Sequence, residues 1–554
     1  SFNVMAQVKA ISGLVTDVTG EPVIGASVVE VGTTNGVITD LNGKFSLKVA
    51  PNSQFLVSYI GYKQQTIKVG SESTYNIVLK EDAEVLDEVV VVGYGSQKKV
   101  NVTGAVGMVG AEALEARPVA NASQALQGVV PGLNLTVGNN GGALDGTLNM
   151  NIRGAGTIGD GSGSSPLVLI DGIEGDLNTV NPNDIESVSV LKDAASASIY
   201  GARASFGVIL VTTKSGKSGK TNVSYSGSAR FSDAIGVPDI MDSYTFAQYF
   251  NRASANKGGG DIFAPAVMER IKAYQEGTLK ATTVDNGAGI WQKWANANGD
   301  TDWFEEFYDH WAPSQEHNLS INGGTDKTQY LISGSFLDQK GLMRHGKDKF
   351  QRYTLNGKIT TAVTDWFKVT YSTKWTREDF ERPSYLTGNF FHNLARKWPV
   401  HPAYDPNGFP MDEGEVEQME NGGKQNSQKD FYTNQLQLVF EPIKNWKINL
   451  DGSVRTTTQY QHWEVLPVYA YNVAGDPYYT VWDMGYGSYA AGSSRVNEYS
   501  WKENYYTTNI YSDYFKQFDN GHYFKVMAGF NAELYKTRNI TAEKNTLILS
   551  LIHI

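Results

Sequence analysis

The stretch FKVTYSTKW (Phe367–Trp375) alternates apolar or aromatic side chains with polar ones. Successive side chains of a β-strand point to opposite faces, so one face of this segment is apolar and the other is polar. The same parity returns over residues 446–454 and 524–534. Strands of roughly 9–11 residues with this pattern have the length that a tilted membrane-spanning strand needs. Residues 221–554 are therefore predicted to form antiparallel strands of this kind.

The links between these strands decide between a soluble β-sandwich and a membrane barrel, because both share the alternation. Tight links are predicted at Thr364-Asp365, over residues 442–445 and around residues 519–521, and very long links over residues 233–313, 377–430 and 457–502. Short turns at one end and long loops at the other are typical of an outer-membrane barrel. The pattern thus favours the barrel.

Composition excludes several classes of protein. The 554 residues carry a formal net charge of -11, which argues against a nucleic-acid partner, because such proteins present a basic face. No cysteine is present, so disulfides, thiolate metal sites and cysteine nucleophiles are impossible. No run of about 18 apolar residues predicts a transmembrane helix. Residues 1–7 are interpreted as the remnant of an export signal.

Residues 8–80 show short alternating strands separated by Gly, Asn and Asp turns, as in Leu41-Asn42-Gly43-Lys44. This spacing predicts a small β-sandwich. The segment resembles the carboxypeptidase regulatory-like domain. No metal-ligand spacing or nucleophile accompanies it, so no peptidase activity is expected.

Residues 81–100 break the pattern. The segment Asp87-Glu88-Val89-Val90-Val91-Val92-Gly93-Tyr94 places four β-branched residues between acidic and glycine-rich flanks. Such residues favour an extended strand, and an unpaired strand on a tether is a template for strand addition by a partner. The alternative is an ordinary buried strand of the next domain. The stretch resembles the TonB box of TonB-dependent transporters, which implies that these eight residues contact TonB.

Residues 101–220 form a Gly-rich segment in which short strands alternate with short helices, such as the predicted strand Pro166–Ile170. The segment resembles the plug signature of SusC/RagA-type transporters, with one departure at Phe206, where asparagine is more usual. The signature positions are Arg153, Gly154, Asp171, Gly172, Lys192, Asp193, Tyr200, Gly201, Arg203 and Gly207. The predicted fold is therefore mainly β, with an N-terminal β-sandwich, a mixed α/β plug and an incomplete antiparallel transmembrane β-barrel.

The resemblance to the SusC/RagA family implies a function. Its members import a glycan or another oligomer, such as a peptide, across the outer membrane. The implied partners are TonB with its ExbB/ExbD motor, a SusD-like surface lipoprotein and the lipid bilayer. The N-terminal domain and the TonB box are then expected in the periplasm. The alternative is a non-transporting surface receptor or adhesin barrel, which has no use for a tethered valine strand beside a plug.

About nine spanning strands are predicted, and nine strands cannot enclose a plug of more than a hundred residues, since plugged lumens need about 22. The sequence therefore predicts the N-terminal part of a longer barrel.

Residue patterns for catalysis, cofactors and metals fail on their context. Gly154–Gly159 matches a dinucleotide fingerprint by letter, but a flexible Gly/Ser-rich loop follows instead of the required helix. No pair of the eight histidines has the i, i+4 spacing of a zinc hydrolase. We therefore expect no catalytic residue, no cofactor and no metal.

The long loops are rich in aromatic residues, which stack on sugar rings but also anchor membrane interfaces, pack loop cores or bind partners. The candidate contacts with a ligand or partner are Trp291, Trp294, Trp303, Trp311, Trp398, Trp463 and Trp482.

Overall fold

The structure is a computed structural model. It describes residues 9–33, 35–51, 53–59, 62–80, 89–92, 95–98, 105–115, 117, 119–137, 144, 148–154, 165–480, 482–483, 488–489, 492–518 and 522–545. The chain divides into two compact units, Ser1–Thr103 and Gly104–Ile554. The predicted signal remnant over residues 1–7 lies outside the described residues.

The first unit contains a β-sandwich. Its strands are β1 (Lys9–Thr16), β2 (Ser27–Glu30), β3 (Gly36–Ile38), β4 (Lys44–Val49), β5 (Gln54–Ser58), β6 (Gln65–Lys68) and β7 (Thr74–Val78). They form a sheet of order β4-β1-β7 and a second sheet of order β3-β2-β5-β6. Alternate residues of β4, including Phe45 and Leu47, are buried against Phe55 and Val57 of β5. Period-two alternation thus forms this core, as predicted.

The valine segment forms strand β8 (Val89–Val92), which pairs antiparallel with β9 (Gly95–Lys98). The expectation of an unpaired strand is therefore wrong for this conformation. A tight connection after four β-branched residues lets the chain fold back and satisfy its own backbone groups. In this two-stranded sheet β8 has β9 on one edge only. Asp87, Glu88, Gly93 and Tyr94 lie outside the described residues.

The second unit begins with a mixed α/β domain, the plug. Its elements are β10 (Val106–Gly110), α1 (Ala111–Glu115), α2 (Ala122–Leu126), β11 (Leu133–Val137), β12 (Leu148–Ile152), β13 (Leu167–Ile170), β14 (Ile173–Glu174), β15 (Ile185–Leu191), α3 (Ala194–Ala197) and β16 (Val208–Thr213), with 3-10 helices at Leu177–Thr179, Pro182–Asp184 and Ser198–Ala204. The main sheet has the order β10-β15-β16-β13-β14, with β13 and β16 parallel. The fully buried strand residues Val188, Val190 and Ile209 pack with the helical residues Leu114 and Leu126.

Nine long strands follow and pair in the order β17-β18-β19-β20-β21-β22-β23-β28-β29. They are β17 (Gly219–Ser232), β18 (Ala312–Gly324), β19 (Thr328–Lys340), β20 (Lys349–Thr364), β21 (Phe367–Pro383), β22 (Lys424–Ile443), β23 (Trp446–Val465), β28 (Arg495–Gln517) and β29 (Tyr523–Asn545). All neighbours are antiparallel. This sheet is the incomplete barrel that the sequence predicts.

The two faces of the sheet differ as the alternation predicts. On the outer face, Leu355, Phe530 and Leu534 expose 54%, 64% and 50% of their surface. At the turn end of this face the rings of Phe367 and Phe440 stack at 4.5 Å. The opposite face is polar and directed at the plug. An apolar outer band edged by aromatic rings is typical of a barrel wall in contact with lipid.

The long links lie at one end of the sheet and hold the remaining elements. These are α4 (Ser243–Asn256), α5 (Pro265–Gln275), α6 (Trp303–Phe307), α7 (Gly388–Leu394), α8 (Val416–Asn421), a 3-10 helix at Trp294–Asn296, and the short strands β24 (Tyr469–Tyr471), β25 (Pro477–Tyr479), β26 (Trp482–Asp483) and β27 (Ser488–Tyr489). In the part of the chain that is described, no helix combines the length and the apolar character needed to cross a membrane.

Two predicted loop boundaries are wrong. The links predicted over residues 377–430 and 457–502 are occupied at both ends by strands, which leave loops of residues 384–423 and 466–494. Polar cross-strand pairs extend the strands past the apolar band, as where Arg377 donates to Asp430 at 2.8 Å. Trp463, predicted in a loop, lies instead on β23.

Candidate functional site

The plug and the inner face of the strands meet through hydrogen bonds and ion pairs contributed by several strands. The plug supplies Asp171, Glu174, Asn181, Asp184 and Arg203, together with backbone carbonyls. The strands supply Asn318, Arg352, Asn356, Lys374, Gln435, Arg455, Glu533 and Tyr535. This interface is the candidate functional site, because it joins the predicted signature to the predicted barrel.

Asp171 is the best-connected residue of the interface. With Gly172 it forms the tight turn between β13 and β14, and both residues have positive φ, 51° and 86°, as a two-residue hairpin of this type requires. Its carboxylate accepts hydrogen bonds from the Thr213 backbone (2.9 Å), the Thr213 hydroxyl (2.6 Å) and the Lys374 ammonium. Gln435 donates to its carbonyl at 3.0 Å.

The charge on Asp171 is held by its surroundings. Burial alone would raise the pKa of this carboxyl, but Lys374 and Lys358 outweigh burial and hold the pKa well below its usual range. The side chain of Asp171 is 8% exposed and that of Lys374 is 23% exposed. The plug and β21 are therefore joined by an ionised, largely buried pair.

Arg203 forms a second charged contact. Its guanidinium donates to both carboxylate oxygens of Glu533, at 2.5 and 2.7 Å, and to Glu174 at 3.1 Å. Tyr535 donates to Glu174 at 2.7 Å, and Arg455 donates to the Glu174 carbonyl. A forked guanidinium suits this bidentate geometry. Strands β23 and β29 thus contact the β13–β14 hairpin and the 3-10 helix Ser198–Ala204.

Further hydrogen bonds join the plug to β18 and β20. Asn181 donates to Asn318 of β18 at 2.5 Å, and Asn356 of β20 donates to Asp184 at 2.7 Å. Burial raises the pKa of Asp184. Arg352, which is 2% exposed, donates to the carbonyls of Asn178 and Ala120.

The other signature positions build the plug itself. Asp193 caps α3 and accepts from the Ser196 hydroxyl at 2.6 Å and from the Ala105 amide at 2.5 Å. These hydrogen bonds, that of Ser196 first, lower the pKa of Asp193 to about 2. The Lys192 amide donates to the Ala105 carbonyl at 3.1 Å. Lys192 and Asp193 therefore fasten the chain at the entry to β10.

The remaining signature residues are placed at turns and in the core. Gly154, Gly201 and Gly207 have φ of 97°, 63° and 91°, a backbone region that favours glycine. Arg153 follows β12 with φ 61° and is exposed, whereas Tyr200 is buried. Among the signature side chains, those of Asp171 and Arg203 form ion pairs with strands of the barrel, at Lys374 and Glu533.

A polar interface of this kind can open without exposing a hydrophobic core. Water replaces each hydrogen bond that is lost, so the net cost per bond is only about 0.5–1.5 kcal/mol. A cavity of about 310 Å³ lies beside the contact, lined by residues that include Asp184, Lys358, Lys374 and Arg455. The arrangement suits a domain that is held firmly but is removable.

The barrel-side partners were not assigned individually from sequence. Lys374, Gln435, Arg455 and Glu533 all occupy polar positions of alternating strands. The sequence signal that these residues share is a charged or amide side chain on the polar face of an alternating strand. Their partners are distant in sequence, so periodicity alone does not identify them.

The aromatic residues of the loops form two buried clusters. Trp303 is fully buried and packs with Phe307 and Phe390 in the first cluster. Trp398 contacts Phe246, Phe250 and Phe263 in the second. Trp303 therefore packs the interior of the loops and offers no exposed face to a ligand.

The other predicted tryptophan contacts lie in different environments. Trp294 stacks on His401 at 4.6 Å and donates to Glu413 at 2.5 Å. Trp291 and Trp463 are half-buried, whereas Trp311 is 65% exposed. The Trp482 side chain lies outside the described residues. Trp294 and Trp398 line one cavity of about 690 Å³ in the loops, and the structure does not bring all seven tryptophans together.

This loop cavity also holds charged residues that sequence analysis did not single out. Lys397 lies 3.0 Å from Glu415, and their side chains are 4% and 7% exposed. Lys293 bridges Asp412 and Glu413 at 2.8 and 2.6 Å. Burial, with Lys397 and Lys293 nearby, lowers the pKa of His401 to about 3. A cavity with aromatic walls and fixed charges can bind a polar organic molecule.

Comparison with known families places the two N-terminal parts of the chain. Residues 98–208 match the TonB-dependent Receptor Plug Domain, and residues 11–91 match the CarboxypepD_reg-like domain. The described part of the chain contains no cluster of three or more His, Asp or Glu side chains placed to hold a metal ion.

Several proteins resemble the chain over most of its length. The TonB-dependent receptor SusC of Bacteroides thetaiotaomicron is 35% identical over 365 residues, which cover 64% of this chain and 32% of SusC. A TonB-dependent receptor of Formosa agariphila is 31% identical over 401 residues, 72% of this chain and 35% of that receptor. The chain thus spans about a third of the length of these relatives. They are receptors and transporters rather than enzymes, in agreement with the prediction of no catalytic role.

The fold has a counterpart among solved structures. The RagAB peptide importer in the open-open state matches with a TM-score of 0.65 at 24% identity, covering 83% of this chain and 50% of that chain. The TonB-dependent receptors that this chain resembles are outer-membrane β-barrel proteins with a periplasmic plug.

Proposed function

The chain belongs to the SusC/RagA type of TonB-dependent transporters, and we propose that it imports an oligosaccharide or a peptide across the outer membrane with energy delivered through TonB. The observation that carries this proposal is the polar, ion-paired interface between plug and strands, centred on Asp171 and Lys374. A receptor that only binds at the surface has no need for a removable interior domain. A plug held by exchangeable polar contacts supports transport.

The proposed route of force begins at Val89–Val92. TonB adds a strand to the free edge of β8, and backbone hydrogen bonds carry the load. From there the chain leads to Ala105 and then to β10, an edge strand paired only with β15 in the plug sheet. The first described contacts of the plug on this route are the hydrogen bonds of Ala105 with Lys192 and Asp193.

A pull on β10 acts on a strand that can unzip from one side. An edge strand separates by breaking its backbone bonds in sequence, whereas a central strand must break two ladders. Opening then reaches the hairpin that carries Asp171, whose contacts with Lys374 and Gln435 hold the plug to the wall. We propose that release of this hairpin opens the lumen.

The partners and the location follow from the same proposal. The turn end of the strands and the β-sandwich face the periplasm, and the long loops face the exterior. A SusD-like lipoprotein would cover the loops, and an oligosaccharide or peptide would enter between them. The solved structure that shares this fold is a peptide importer, which supports a peptide as one of the two ligand classes.

The experiment that tests energy coupling is a proline substitution in the full-length protein. Val91→Pro removes a backbone donor and blocks strand addition, whereas Val91→Ile keeps the backbone and the β-branched side chain. We expect V91P to abolish uptake and V91I to retain it, with both variants present at the surface in equal amounts. Uptake that persists in V91P would refute coupling through this strand.

A binding measurement separates coupling from ligand recognition. The ligand is first identified by screening a knockout strain for lost growth on glycans and peptides. Surface binding of that ligand should then be equal in V91P and V91I. Loss of binding in V91P alone would show that the segment acts on the binding site and not on energy transfer.

A further inference from the structure

His345 lies where three separate segments of the loops meet. Its Nε2 atom is 2.9 Å from Glu306 of α6, and its Nδ1 atom is 2.7 Å from Glu420 of α8. The imidazole is only 7% exposed, and the ring of Phe307 approaches it edge to face at 5.5 Å. One side chain therefore joins the loop of residues 233–311, the turn of residues 341–348 and the loop of residues 384–423.

The hydrogen-bond geometry constrains the protonation state of this histidine. A carboxylate only accepts hydrogen bonds, and a neutral imidazole has a single N–H to donate. Two carboxylates within hydrogen-bond distance of both nitrogens are satisfied together only by the imidazolium. Loss of the proton leaves one buried nitrogen lone pair facing a carboxylate oxygen, which is repulsive.

The other charged and titratable groups around His345 include both signs of charge. Tyr404 interacts with Glu306, and burial with Glu306 nearby raises the pKa of Tyr404 to about 12, so it stays neutral. Glu417 of α8 adds negative charge beside Glu420. On the same turn as His345, Arg344 donates to the Tyr308 carbonyl at 3.1 Å and Asp348 is buried.

The same arrangement recurs at a second histidine. His310 lies 3.0 Å from Asp233 and 3.2 Å from Glu305, and thereby ties the start of its loop to α6. Both histidines attach to α6, the helix that contains the buried Trp303 and Phe307. The packing of the loop cluster is therefore fastened at its edges by histidine–carboxylate contacts.

We propose that His345 is a pH-responsive clamp that holds the loops together when it is protonated and releases α6 and α8 when it loses its proton. The clamp rests on the proposed function, because it regulates access to the mouth through which a ligand is to enter. Its ligand-independent part, the coupling of His345 protonation to the order of these two helices, stands on geometry alone.

The direction of the effect follows from linkage. Burial alone would lower the pKa of His345, but the hydrogen bonds to Glu306 and Glu420 outweigh it and raise the pKa above 6.5. Stabilisation by the clamp is then fully present below pH 6.5 and is lost as the pH rises through the raised value. His401, with a pKa of about 3, stays neutral throughout this window.

Hydrogen exchange of the full-length protein in detergent tests the clamp. Protection of Trp303–Phe307 and Val416–Asn421, corrected for intrinsic exchange rates, is measured from pH 6 to pH 9. We expect protection to fall by about tenfold for each unit by which the clamp raises the pKa. His345→Gln should show low protection of Val416–Asn421 that does not vary with pH, because α8 contacts His345, whereas the second histidine, His310, contacts α6 and Asp233. His392→Gln, which alters an exposed histidine of α7, should behave as the native protein does.

The outcomes separate the clamp from its alternatives. Glu420→Gln removes one acceptor charge and should reduce the pH dependence, which provides a second test if His345→Gln fails to fold. Native protection that is constant across the pH range, or a pH dependence of Val416–Asn421 that survives in His345→Gln, overturns the proposal. Exchange requires no TonB, so failure of the V91P uptake test would leave this result standing and would remove only its role in import.

Discussion

Replacement of Lys374 by methionine removes the counter-charge of Asp171 while keeping a side chain of similar length. Asp171 then remains in a site where its side chain is 8% exposed. Loss of one partner of a buried ion pair costs about 3–5 kcal/mol. Here Thr213 still donates two hydrogen bonds and Lys358 still lies nearby, so we expect a cost of about 2–3 kcal/mol in the free energy of plug docking.

Pulse proteolysis in urea measures this change on the full-length protein in detergent. The protease cleaves the plug only when it has left the barrel or unfolded. With an m-value of about 1.5 kcal/mol/M for a plug-sized unit, the midpoint should fall by about 1.3–2 M urea in Lys374→Met. Lys368→Met is the matched control, because Lys368 is an exposed lysine on the polar face of the same strand, and its midpoint should not change.

A double-mutant cycle identifies the cause of the shift. Asp171→Asn removes the buried charge, so adding Lys374→Met to this variant should cost less than it does in the native protein, with a coupling of about 1–3 kcal/mol. Equal effects of Lys374→Met in both backgrounds would show that the lysine stabilises the plug by packing. A midpoint of Lys374→Met equal to that of Lys368→Met would refute the ionic contact altogether.

Four further substitutions test other parts of the structure. Arg203→Lys loses the forked contact with Glu533 and should lower the urea midpoint of the plug by an amount that corresponds to about 1 kcal/mol, since the arginine is partly exposed. Gly207→Ala should cost about 2–3 kcal/mol in the same assay, because the new Cβ would lie 2.6 Å from Ile152 and 2.9 Å from the Leu191 carbonyl. Gly201 also has a positive φ but has open space around it, so Gly201→Ala should cost only about 1 kcal/mol. The pKa of His401 is about 3 in the folded loops and 6.5 in the open state. Because the open state therefore binds more protons, the free energy needed to open the loops around His401 should fall by about 2 kcal/mol between pH 7 and pH 5. His401→Gln should abolish this acid sensitivity in hydrogen exchange, and an unchanged acid response would contradict burial of the neutral histidine.

The strands of the barrel were predictable because the alternation that identifies them involves only neighbouring residues in the sequence. Each strand of the wall repeats a period of two, and this parity alone assigns Tyr371 to the outer face and Lys374 to the inner face. The turn predicted at Thr364-Asp365 lies one residue further along, at residues 365–366 between β20 and β21. Strand ends were harder, since Arg377 and Asp430 extend the ladder through a pairing of distant residues. Neither residue alone signals that the strand continues.

The valine segment shows a different limit of sequence reasoning. Four β-branched residues favour an extended strand, but they do not determine which strand will pair with it. The neighbouring residues Gly95–Lys98 provide a partner within the same segment. Pairing with β9 satisfies one edge of β8 and leaves its other edge open in this two-stranded sheet, and the proposed strand addition by TonB requires only that open edge.

The loop aromatics show why composition overstates binding sites. A tryptophan in a long loop has the same sequence signal whether it stacks on a ligand or fills a core, and only the partners of its ring distinguish the two. Trp303 is enclosed by Phe307 and Phe390, whereas Trp294 shares a cavity with Lys293 and Glu413. A loop of 79 residues (233–311) between two strands has enough apolar side chains to bury a core of its own, and burying them stabilises the loop against disorder. Rings such as those of Trp303, Phe307 and Phe390 therefore pack the interior of the loops, whereas those of Trp294 and Trp398 line the loop cavity.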